Sequence, residues 1–254
     1  MKAQKHVVQK ADAGGANSEP SRKDVWRMFD RIAPRYDLIN RWLSFGLDVS
    51  WRKRMASLLP EGESLAVLDL ATGTADQLLL LCDECDRIDQ AVGMDLSENM
   101  LEVGRKKVAA SRRCDCINLK MGDAVNIPEE DHMYHAVTIS FGIRNVLDME
   151  ASMKDMLRVL RPNGRALILE CSLPENALMR IGHVAYLRYA VPLIGAIISG
   201  DMEAYRYLNK TVETFPSGEA FCELMRSAGF EHVKANPVTF GVATIYQGDR
   251  PAAG

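Results

Sequence analysis

Five short apolar segments, separated by longer helical stretches, constrain the fold of this chain more than any other feature of its sequence. Each segment is apolar without strict alternation, which is typical of strands buried on both faces of a parallel sheet. The segments are residues 65–70, 90–95, 116–121, 135–140 and 165–170, and the helical stretches are residues 75–84, 97–110 and 149–160. Strand and helix therefore alternate, and this order predicts a doubly wound α/β sheet.

The last part of the chain extends this pattern. A helical stretch over residues 217–228 is followed by Gly229 and by two further strand segments near residues 232–237 and 242–247. These two segments bring the predicted total to seven strands. We therefore predict a seven-stranded, Rossmann-like sheet.

The residues before the first strand predict separate helices. Residues 1–20 are polar and rich in small residues, which favours a flexible tail. Ser21 can cap a helix, and we expect Pro34 to interrupt that helix. Two more helical pieces follow, at residues 36–43 and 49–59. We divide the chain into a tail (1–20), an N-terminal helical cap (21–60) and a core (61–254) with an apolar helical insertion at about 176–215.

The net charge and the hydropathy of the chain limit which binding partners and which cellular compartment we expect. The net charge is −3 over 254 residues, which argues against a nucleic-acid partner. Six cysteines in a chain of this length do not form a disulfide scaffold, and the first residues show no secretory signal pattern. The longest apolar run, residues 184–199, is short for a membrane span and contains Arg188 and Pro192. We expect a cytoplasmic protein with reduced thiols.

Polar or small residues stand at the ends of four predicted strands. Gly73 lies in the turn after the first strand, Asp95 ends the second, Asp123 follows the third and Ser140 ends the fourth. Each has an ordinary structural explanation by itself, such as a strand–helix turn, a helix N-cap region, a Gly-Asp turn or a strand-end hydroxyl. Parallel strands place their carboxyl ends at one edge, where ligands of such sheets bind. The four together therefore predict a ligand site.

The chemistry of these residues suits an adenosyl ligand. Asp95 can accept hydrogen bonds from both ribose hydroxyls, Asp123 can accept from an adenine amino group, and the Ala124 N–H can donate to the adenine ring. A dinucleotide favours several glycines in the first turn, whereas this turn has one glycine and an acidic Asp76 beside it. A carboxylate there favours a cationic ligand, and Asp69 can orient the turn or an amino group. We predict S-adenosylmethionine as the cofactor.

The cysteines and histidines predict no metal site. Cys82 and Cys85 have C-x-x-C spacing, with Cys114 and Cys116 further on, but no turn residues typical of zinc sites accompany them. The five histidines show no metal-ligand spacing. We interpret the cysteines as small packing residues.

Two longer stretches carry a family resemblance. Residues 36–51 read YDLINRWLSFGLDVSW and residues 158–172 read RVLRPNGRALILECS. They are similar to the two signatures of the ubiquinone/menaquinone biosynthesis C-methyltransferases, and the similarity runs from about residue 25 to residue 246. Three positions depart from the signatures, namely Asp48 for histidine, Arg161 for lysine and Asn163 for glycine. Because Asp48 stands where the signature has histidine, a histidine base is not expected at that position.

The resemblance implies a fold, a reaction and a set of residues. The fold is that of a class I methyltransferase, and the reaction methylates the ring of a polyprenylated quinol. The family holds its methyl donor through positions that match Thr74, Asp95, Asp123, Ala124 and Ser140. Thr74 is assigned from the resemblance alone.

Catalysis on a ring carbon needs a hydroxyl of the quinol to lose its proton. Arg144 supplies a fixed positive charge for the phenolate, Asn145 can donate to the same oxygen, and Tyr36 can close over the ring. The structural alternatives are a surface salt bridge for Arg144 and a packing role for Tyr36. The general base stays open between a held water molecule and a side chain.

The apolar residues 179–198 have three interpretations. They can contact the prenyl tail, lie at a bilayer surface as a peripheral membrane contact, or pack in the core or at a homodimer interface. The acceptor ring stays open between a benzoquinol and a naphthoquinol, with the naphthoquinol favoured. The competing functions are a methyltransferase for a small soluble acceptor and a non-catalytic scaffold with the same fold.

Overall fold

A seven-stranded sheet forms the centre of the computed structural model, which describes residues 25–199 and 202–252. The strand order is β3-β2-β1-β4-β5-β7-β6, in which β1 to β5 are parallel and β7 runs antiparallel to both β5 and β6. The strands are β1 (Leu65–Leu70), β2 (Ile88–Asp95), β3 (Ile117–Met121), β4 (Tyr134–Ser140), β5 (Leu160–Cys171), β6 (Glu231–Val238) and β7 (Ala243–Asp249). The predicted doubly wound sheet of seven strands is confirmed.

The α-helices lie before the sheet, between its strands and in one insertion. They are α1 (Val25–Leu43), α2 (Leu47–Ala56), α3 (Asp76–Glu84), α4 (Glu98–Ala109), α5 (Met149–Val159), α6 (Ala177–Ala185), α7 (Val191–Ser199), α8 (Met202–Thr214) and α9 (Glu219–Ala228). A π-helical segment, Tyr186–Ala190, joins α6 to α7. Short 3-10 helices cover Cys114–Cys116, Ile143–Asn145 and Thr239–Gly241.

The sheet is covered on both faces, which explains why its central strands lack an alternating pattern. In β1, Leu68 and Leu70 belong to one apolar cluster, whereas Leu65 and Val67 belong to the other. Successive side chains of a strand point to opposite faces, so these clusters lie on the two sides of the sheet. Helix α3 contributes to the second cluster and α5 to the first. The connections therefore change sides between β1 and β4, and such a switch point opens a crevice at the carboxyl ends of the strands.

Helix α1 is continuous through Pro34, and the predicted interruption there is wrong. A proline inside a helix removes one backbone hydrogen bond, but tertiary contacts hold both halves of α1. Met28 before the proline and Ile39 after it are buried in the same cluster. Asp30 also accepts a hydrogen bond from the Ser97 hydroxyl (2.6 Å) at the start of α4. The predicted Ser21 cap and the predicted tail lie outside the described residues.

The apolar insertion packs mainly against α1. Leu187 and Val191 from the insertion, with Tyr207 from α8, share a buried cluster with Val25 and Met28 of α1. Among the described residues, no helix has both the length and the apolar character required to cross a bilayer. The insertion and α1 thus form one helical layer beside the carboxyl ends of the strands.

Candidate active site

A cavity of about 390 Å³ lies at the carboxyl ends of β1, β2 and β4. We call it the donor cavity. Its lining includes Gly73, Asp95, Asp123, Ala124 and Ser140. Five of the seven residues predicted to bind the cofactor are therefore brought together here, although they come from four separate places in the chain.

The turn after β1 holds a tight backbone conformation with only one glycine. Ala71 (φ 47°), Gly73 (φ 56°) and Ala75 (φ 66°) all have left-handed backbone angles. For an alanine this conformation costs on the order of 1 kcal/mol, so surrounding contacts must hold it. The Gly73 N–H donates to Asp95 Oδ2 (2.8 Å), and this bond ties the turn to the end of β2.

Asp95 joins the turn to the helix that follows β2. Its Oδ1 accepts from the Ser97 N–H (2.8 Å), while Ser97 itself caps α4 by accepting from the Met100 N–H (3.2 Å). The N-cap is thus Ser97, and Asp95 lines the donor cavity. Burial raises the pKa of Asp95, which the hydrogen bonds from backbone N–H groups oppose.

Asp69 lies beneath the cavity and does not line it. Its two carboxylate oxygens accept from the Thr72 hydroxyl (2.7 Å) and the Thr138 hydroxyl (2.6 Å). Burial raises its pKa to about 6. Its bond to Thr72 ties Asp69 to the turn and favours the first of the two predicted roles, that of orienting the turn.

Thr74 and Asp76 point away from the donor cavity. The Thr74 hydroxyl donates to Asp37 (2.5 Å) and accepts from Lys107 (2.9 Å), and Asp76 pairs with Lys107 (2.5 Å). Neither residue lines the cavity. The expectation that Asp76 faces the cationic part of the ligand is therefore wrong, because Lys107 holds its carboxylate. Thr74 joins the turn to α1 through Asp37.

A second cavity, of about 330 Å³, lies between α1, α2 and the insertion. We call it the acceptor cavity. Its lining is mainly aliphatic and aromatic, with a few polar residues that include Asp48, Arg144 and His183. Four residues line both cavities, so the two spaces share one wall formed by Phe29, Tyr36, Phe141 and Asn145.

Arg144 is buried at the acceptor cavity and is not a surface residue. Its Nη1 donates to Glu170 Oε1 (2.6 Å) and to the Phe141 carbonyl (2.7 Å). Its Nε is buried and has no hydrogen-bond partner in the described part of the chain. Burial alone would lower the pKa of Arg144, but Glu170 and other neighbours raise it, so the guanidinium is a permanent cation. The alternative of a surface salt bridge is excluded.

Tyr36 stands in the shared wall. Its ring packs edge-on against Phe29, with centroids 5.8 Å apart. Burial raises the pKa of its phenol, with the Asn40 side chain acting in the opposite direction. The Tyr36 hydroxyl therefore stays protonated near neutral pH.

Several polar residues around the acceptor cavity carried no clear signal in the sequence. Glu170, which pairs with Arg144, stands in the second signature, and that position was the available clue. His183 lines the cavity with a buried Nε2 that lacks a hydrogen-bond partner among the described residues. Asp48, at the departure from the first signature, accepts from the Ser44 hydroxyl (2.8 Å).

The cysteines show no metal site. Cys82, Cys85 and Cys222 are buried, Cys114 is exposed, and all are free thiols. Within residues 25–199 and 202–252, no group of three or more histidine, cysteine or acidic side chains could hold a metal ion.

A donor cavity at the switch point, beside an apolar acceptor cavity, defines the class of protein. Two solved methyltransferase structures share the fold of this chain. One is a possible histamine N-methyltransferase from Thermotoga maritima (TM-score 0.63, 21% identity, 89% of this chain and 99% of that chain). Another is a putative S-adenosyl-L-methionine-dependent methyltransferase from Methanococcus maripaludis (TM-score 0.63, 15% identity, 95% and 99%). The chain has the fold of a class I methyltransferase.

The sequence comparisons identify the family. The profile of the ubiE/COQ5 methyltransferase family matches residues 17–250. A ubiquinone/menaquinone biosynthesis C-methyltransferase UbiE from Geobacter sulfurreducens is 43% identical over 223 residues, which cover 88% of this chain and 87% of that protein. A demethylmenaquinone methyltransferase from Thermus thermophilus is 42% identical over 224 residues, covering 88% and 100%. The chain belongs to the ubiE/COQ5 methyltransferase family. The predicted family and the predicted S-adenosylmethionine-dependent methyltransferase activity are therefore confirmed.

Proposed function

We propose that this protein transfers the methyl group of S-adenosylmethionine to a ring carbon of a polyprenylated quinol, with demethylmenaquinol as the preferred acceptor. The observation that carries the proposal is the wall shared by the two cavities. Phe29, Tyr36, Phe141 and Asn145 line both, so a methyl group in one cavity and a ring in the other are neighbours. Holding two reactants in this way can supply up to roughly 7–11 kcal/mol of a reaction barrier.

The donor cavity fits the adenosyl part of the cofactor. Asp95 and Asp123 present carboxylates there, and Ala124 lines the wall beside them. When bound, S-adenosylmethionine supplies an electrophilic methyl group on a sulfonium. The carboxylates of Asp95 and Asp123 give the cavity a negative character that suits this cation.

The acceptor cavity fits a ring with oxygens at more than one position. Three buried polar atoms in its lining lack hydrogen-bond partners among the described residues, namely Arg144 Nε, Asn145 Oδ1 and His183 Nε2. An unsatisfied buried polar group costs about 1–3 kcal/mol, so a ligand that pairs with these atoms is stabilised. A quinol carries two hydroxyl groups and is otherwise apolar, as is most of the cavity.

The charge of Arg144 is suited to lower the barrier to proton loss from the quinol. A free phenol has a pKa of about 10, so few molecules are ionised at neutral pH. A guanidinium in a dry cavity stabilises the phenolate oxygen as charge develops on it. The ring carbon then becomes nucleophilic, and Tyr36 and Phe141 hold the ring against the donor cavity. Glu170 acts as a positioning residue, because its carboxylate holds the guanidinium.

Asn145 and His183 supply acceptors for hydroxyl protons. The unpartnered atom of Asn145 is its amide oxygen, which accepts a hydrogen bond, whereas the sequence predicted a donor. Burial lowers the pKa of His183, so its imidazole is neutral near pH 7 and can accept from a hydroxyl. His183 is thus the side chain to weigh against a water molecule as the general base.

Exposed apolar side chains lie at the acceptor cavity and on the helices beside it, and together we call them the apolar face. Phe45 lines the cavity and is 75% exposed, so the cavity meets the surface there. Other exposed apolar side chains lie on the same helices, namely Leu38 and Trp42 on α1 and Leu178, Ile181 and Leu193 on the insertion. A long prenyl tail cannot share about 330 Å³ with the ring and must leave along this face. We assign the face to the surface of the lipid bilayer that holds the quinol, with the protein on the cytoplasmic side.

Deletion of the gene tests the function in cells. Lipid quinones extracted from the deletion strain are weighed by mass spectrometry. The expected result is a quinone pool that lacks one ring methyl group and is restored by the intact gene. A normal quinone pool in the deletion strain would overturn the proposal.

A further inference from the structure

Two buried hydrogen-bond donors lie behind the donor cavity and lack an acceptor in the part of the chain that the structure describes. They are Arg52 Nε on α2 and Gln77 Nε2 on α3, and neither has a partner within the described ranges. Gln77 Oε1 accepts from the Ser140 hydroxyl (3.0 Å) and, at a longer distance, from Arg52 Nη1 (3.4 Å). The cluster therefore has spare donors, and its own acceptor is already shared between two groups.

The charge of Arg52 is poorly compensated by the protein. Its ion pair is with Asp48, whose Oδ2 lies 3.9 Å from Nε, although both side chains are under 10% exposed. The other oxygen of Asp48 accepts from Ser44 and lies 3.5 Å from Arg41. By contrast, Arg144 contacts Glu170 at 2.6 Å. A buried cation without a close counter-ion is costly, which indicates that Arg52 is arranged for an anion that the chain itself does not supply.

The donor cavity lacks the cation that its ligand needs. Its lining includes Asp95, Asp123 and Asp148 but, among the described residues, no lysine or arginine. The methionine part of the donor carries an α-carboxylate as well as its positive groups. A carboxylate placed in an acidic cavity without a cation would be repelled.

Ser140 and Phe141 connect the cluster to the cavity. Both residues line the donor cavity. The Ser140 hydroxyl is bonded to Gln77, and the Arg52 guanidinium lies over the Phe141 ring at 5.4 Å from its centroid. The cluster of Arg52 and Gln77 thus lies behind Ser140 and Phe141, at the end of β4. Phe141 belongs to the wall shared with the acceptor cavity, so the cluster lies on that side of the donor cavity.

We propose that Arg52, together with Gln77 and Ser140, binds the α-carboxylate of the methyl donor. The guanidinium and the Gln77 amide donate to the carboxylate oxygens, and Ser140 turns its hydroxyl from Gln77 toward them. A forked guanidinium suits two carboxylate oxygens. This inference rests on the proposed binding of S-adenosylmethionine and assigns the residues that hold its amino-acid end.

Calorimetry with two ligands tests the assignment without any catalytic readout. S-adenosylhomocysteine carries the α-carboxylate, whereas 5′-methylthioadenosine has the same nucleoside and thioether but no amino-acid group. We expect Arg52→Leu and Gln77→Leu to weaken S-adenosylhomocysteine binding about 10- to 100-fold and to leave methylthioadenosine binding within twofold. Arg54→Leu, an exposed change on the same helix, is the matched control and should alter neither affinity.

A conservative variant distinguishes a loss of binding from a loss of folding. Arg52→Lys keeps the charge but loses the fork, and we expect an intermediate loss for S-adenosylhomocysteine alone. Equal losses for both ligands, or no loss for either, would overturn the role of Arg52. A wild-type protein that binds neither ligand would instead overturn the proposed cofactor, and so the two failures are distinguishable.

Discussion

Arg144 and Glu170 form an ion pair with Nη1 and Oε1 2.6 Å apart, and neither side chain is more than 6% exposed. Glu170 also accepts from the Cys171 N–H (2.8 Å), so β5 fixes the carboxylate. The carboxylate in turn fixes the guanidinium at the acceptor cavity. The pair thus links a strand of the core to the proposed chemistry.

Separating this pair should cost stability as well as activity. Glu170→Gln and Arg144→Met each leave one uncompensated charge in a dry site, and we expect Glu170→Gln to destabilise by about 3–5 kcal/mol. Arg144→Met/Glu170→Met removes both charges and should recover most of that loss while staying inactive. Urea denaturation measures the stability, and calorimetry with S-adenosylhomocysteine checks that the donor cavity is intact. A double variant with normal turnover would contradict the role of Arg144.

Asp69 should make stability depend on pH. A carboxyl whose pKa rises from 3.8 in the unfolded chain to about 6 in the fold binds more protons when folded, so its contribution to stability is present below pH 4 and is lost as the pH rises through 6. The loss is about 3 kcal/mol. Asp69→Asn cannot ionise, and its unfolding free energy relative to wild type should therefore rise by that amount between pH 4 and pH 7. A constant difference across this range would show that the carboxyl is not perturbed.

Asp95 should contribute to donor affinity. Asp95→Asn keeps the shape of the side chain but loses its negative charge and one of the two oxygens that accept from the Gly73 and Ser97 N–H groups. We expect S-adenosylhomocysteine and methylthioadenosine to bind about 10- to 100-fold more weakly, because both contain the ribose. Asp89→Asn, an exposed change on the same strand, is the control and should leave both affinities unchanged.

The apolar face should affect turnover only when the acceptor lies in a membrane. Leu178→Ser combined with Ile181→Ser removes two exposed apolar side chains of α6 that do not line the acceptor cavity. In vesicle flotation, we expect the variant to lose binding and to methylate a vesicle-embedded acceptor at least tenfold more slowly. Turnover of a short-chain acceptor in solution should stay within about twofold.

Two further measurements test the assignment of the apolar face to the bilayer surface. Met121→Ser, an exposed apolar change at the end of β3, should float like wild type. A double variant that still floats but changes from dimer to monomer by light scattering would assign the face to a second copy of the chain instead.

The strands and most helices could be predicted from the sequence because their apolar patterns are local. Pro34 was misjudged because its effect depends on tertiary contacts, namely the burial of Met28 and Ile39 on either side. The helical layer formed by α1 and the insertion depends on contacts between residues far apart in the chain, which local patterns do not record.

The site could be predicted in part, since strand ends place Asp95, Asp123 and Ser140 at one edge wherever a parallel sheet forms. Sequence position near a turn does not determine which way a side chain points, and Asp76 pairs with Lys107 instead of lining the cavity. Thr74, which the family resemblance assigns to the cofactor, does not line the cavity either. The cluster of Arg52 and Gln77 forms only when α2 packs on α3, and no spacing in the sequence predicts it.

One measurement tests the central claim most directly, and it follows the methyl group itself. The purified protein is given S-adenosylmethionine with a ¹³C-labelled methyl group and detergent-solubilised demethylmenaquinone, either reduced to the quinol or left oxidised, and the product is examined by NMR. We predict that the label appears on the ring carbon with the quinol and that the quinone gives no product, because only the quinol can form a nucleophilic phenolate. A label on oxygen, equal product from the quinone, or donor binding without any transfer would contradict the account.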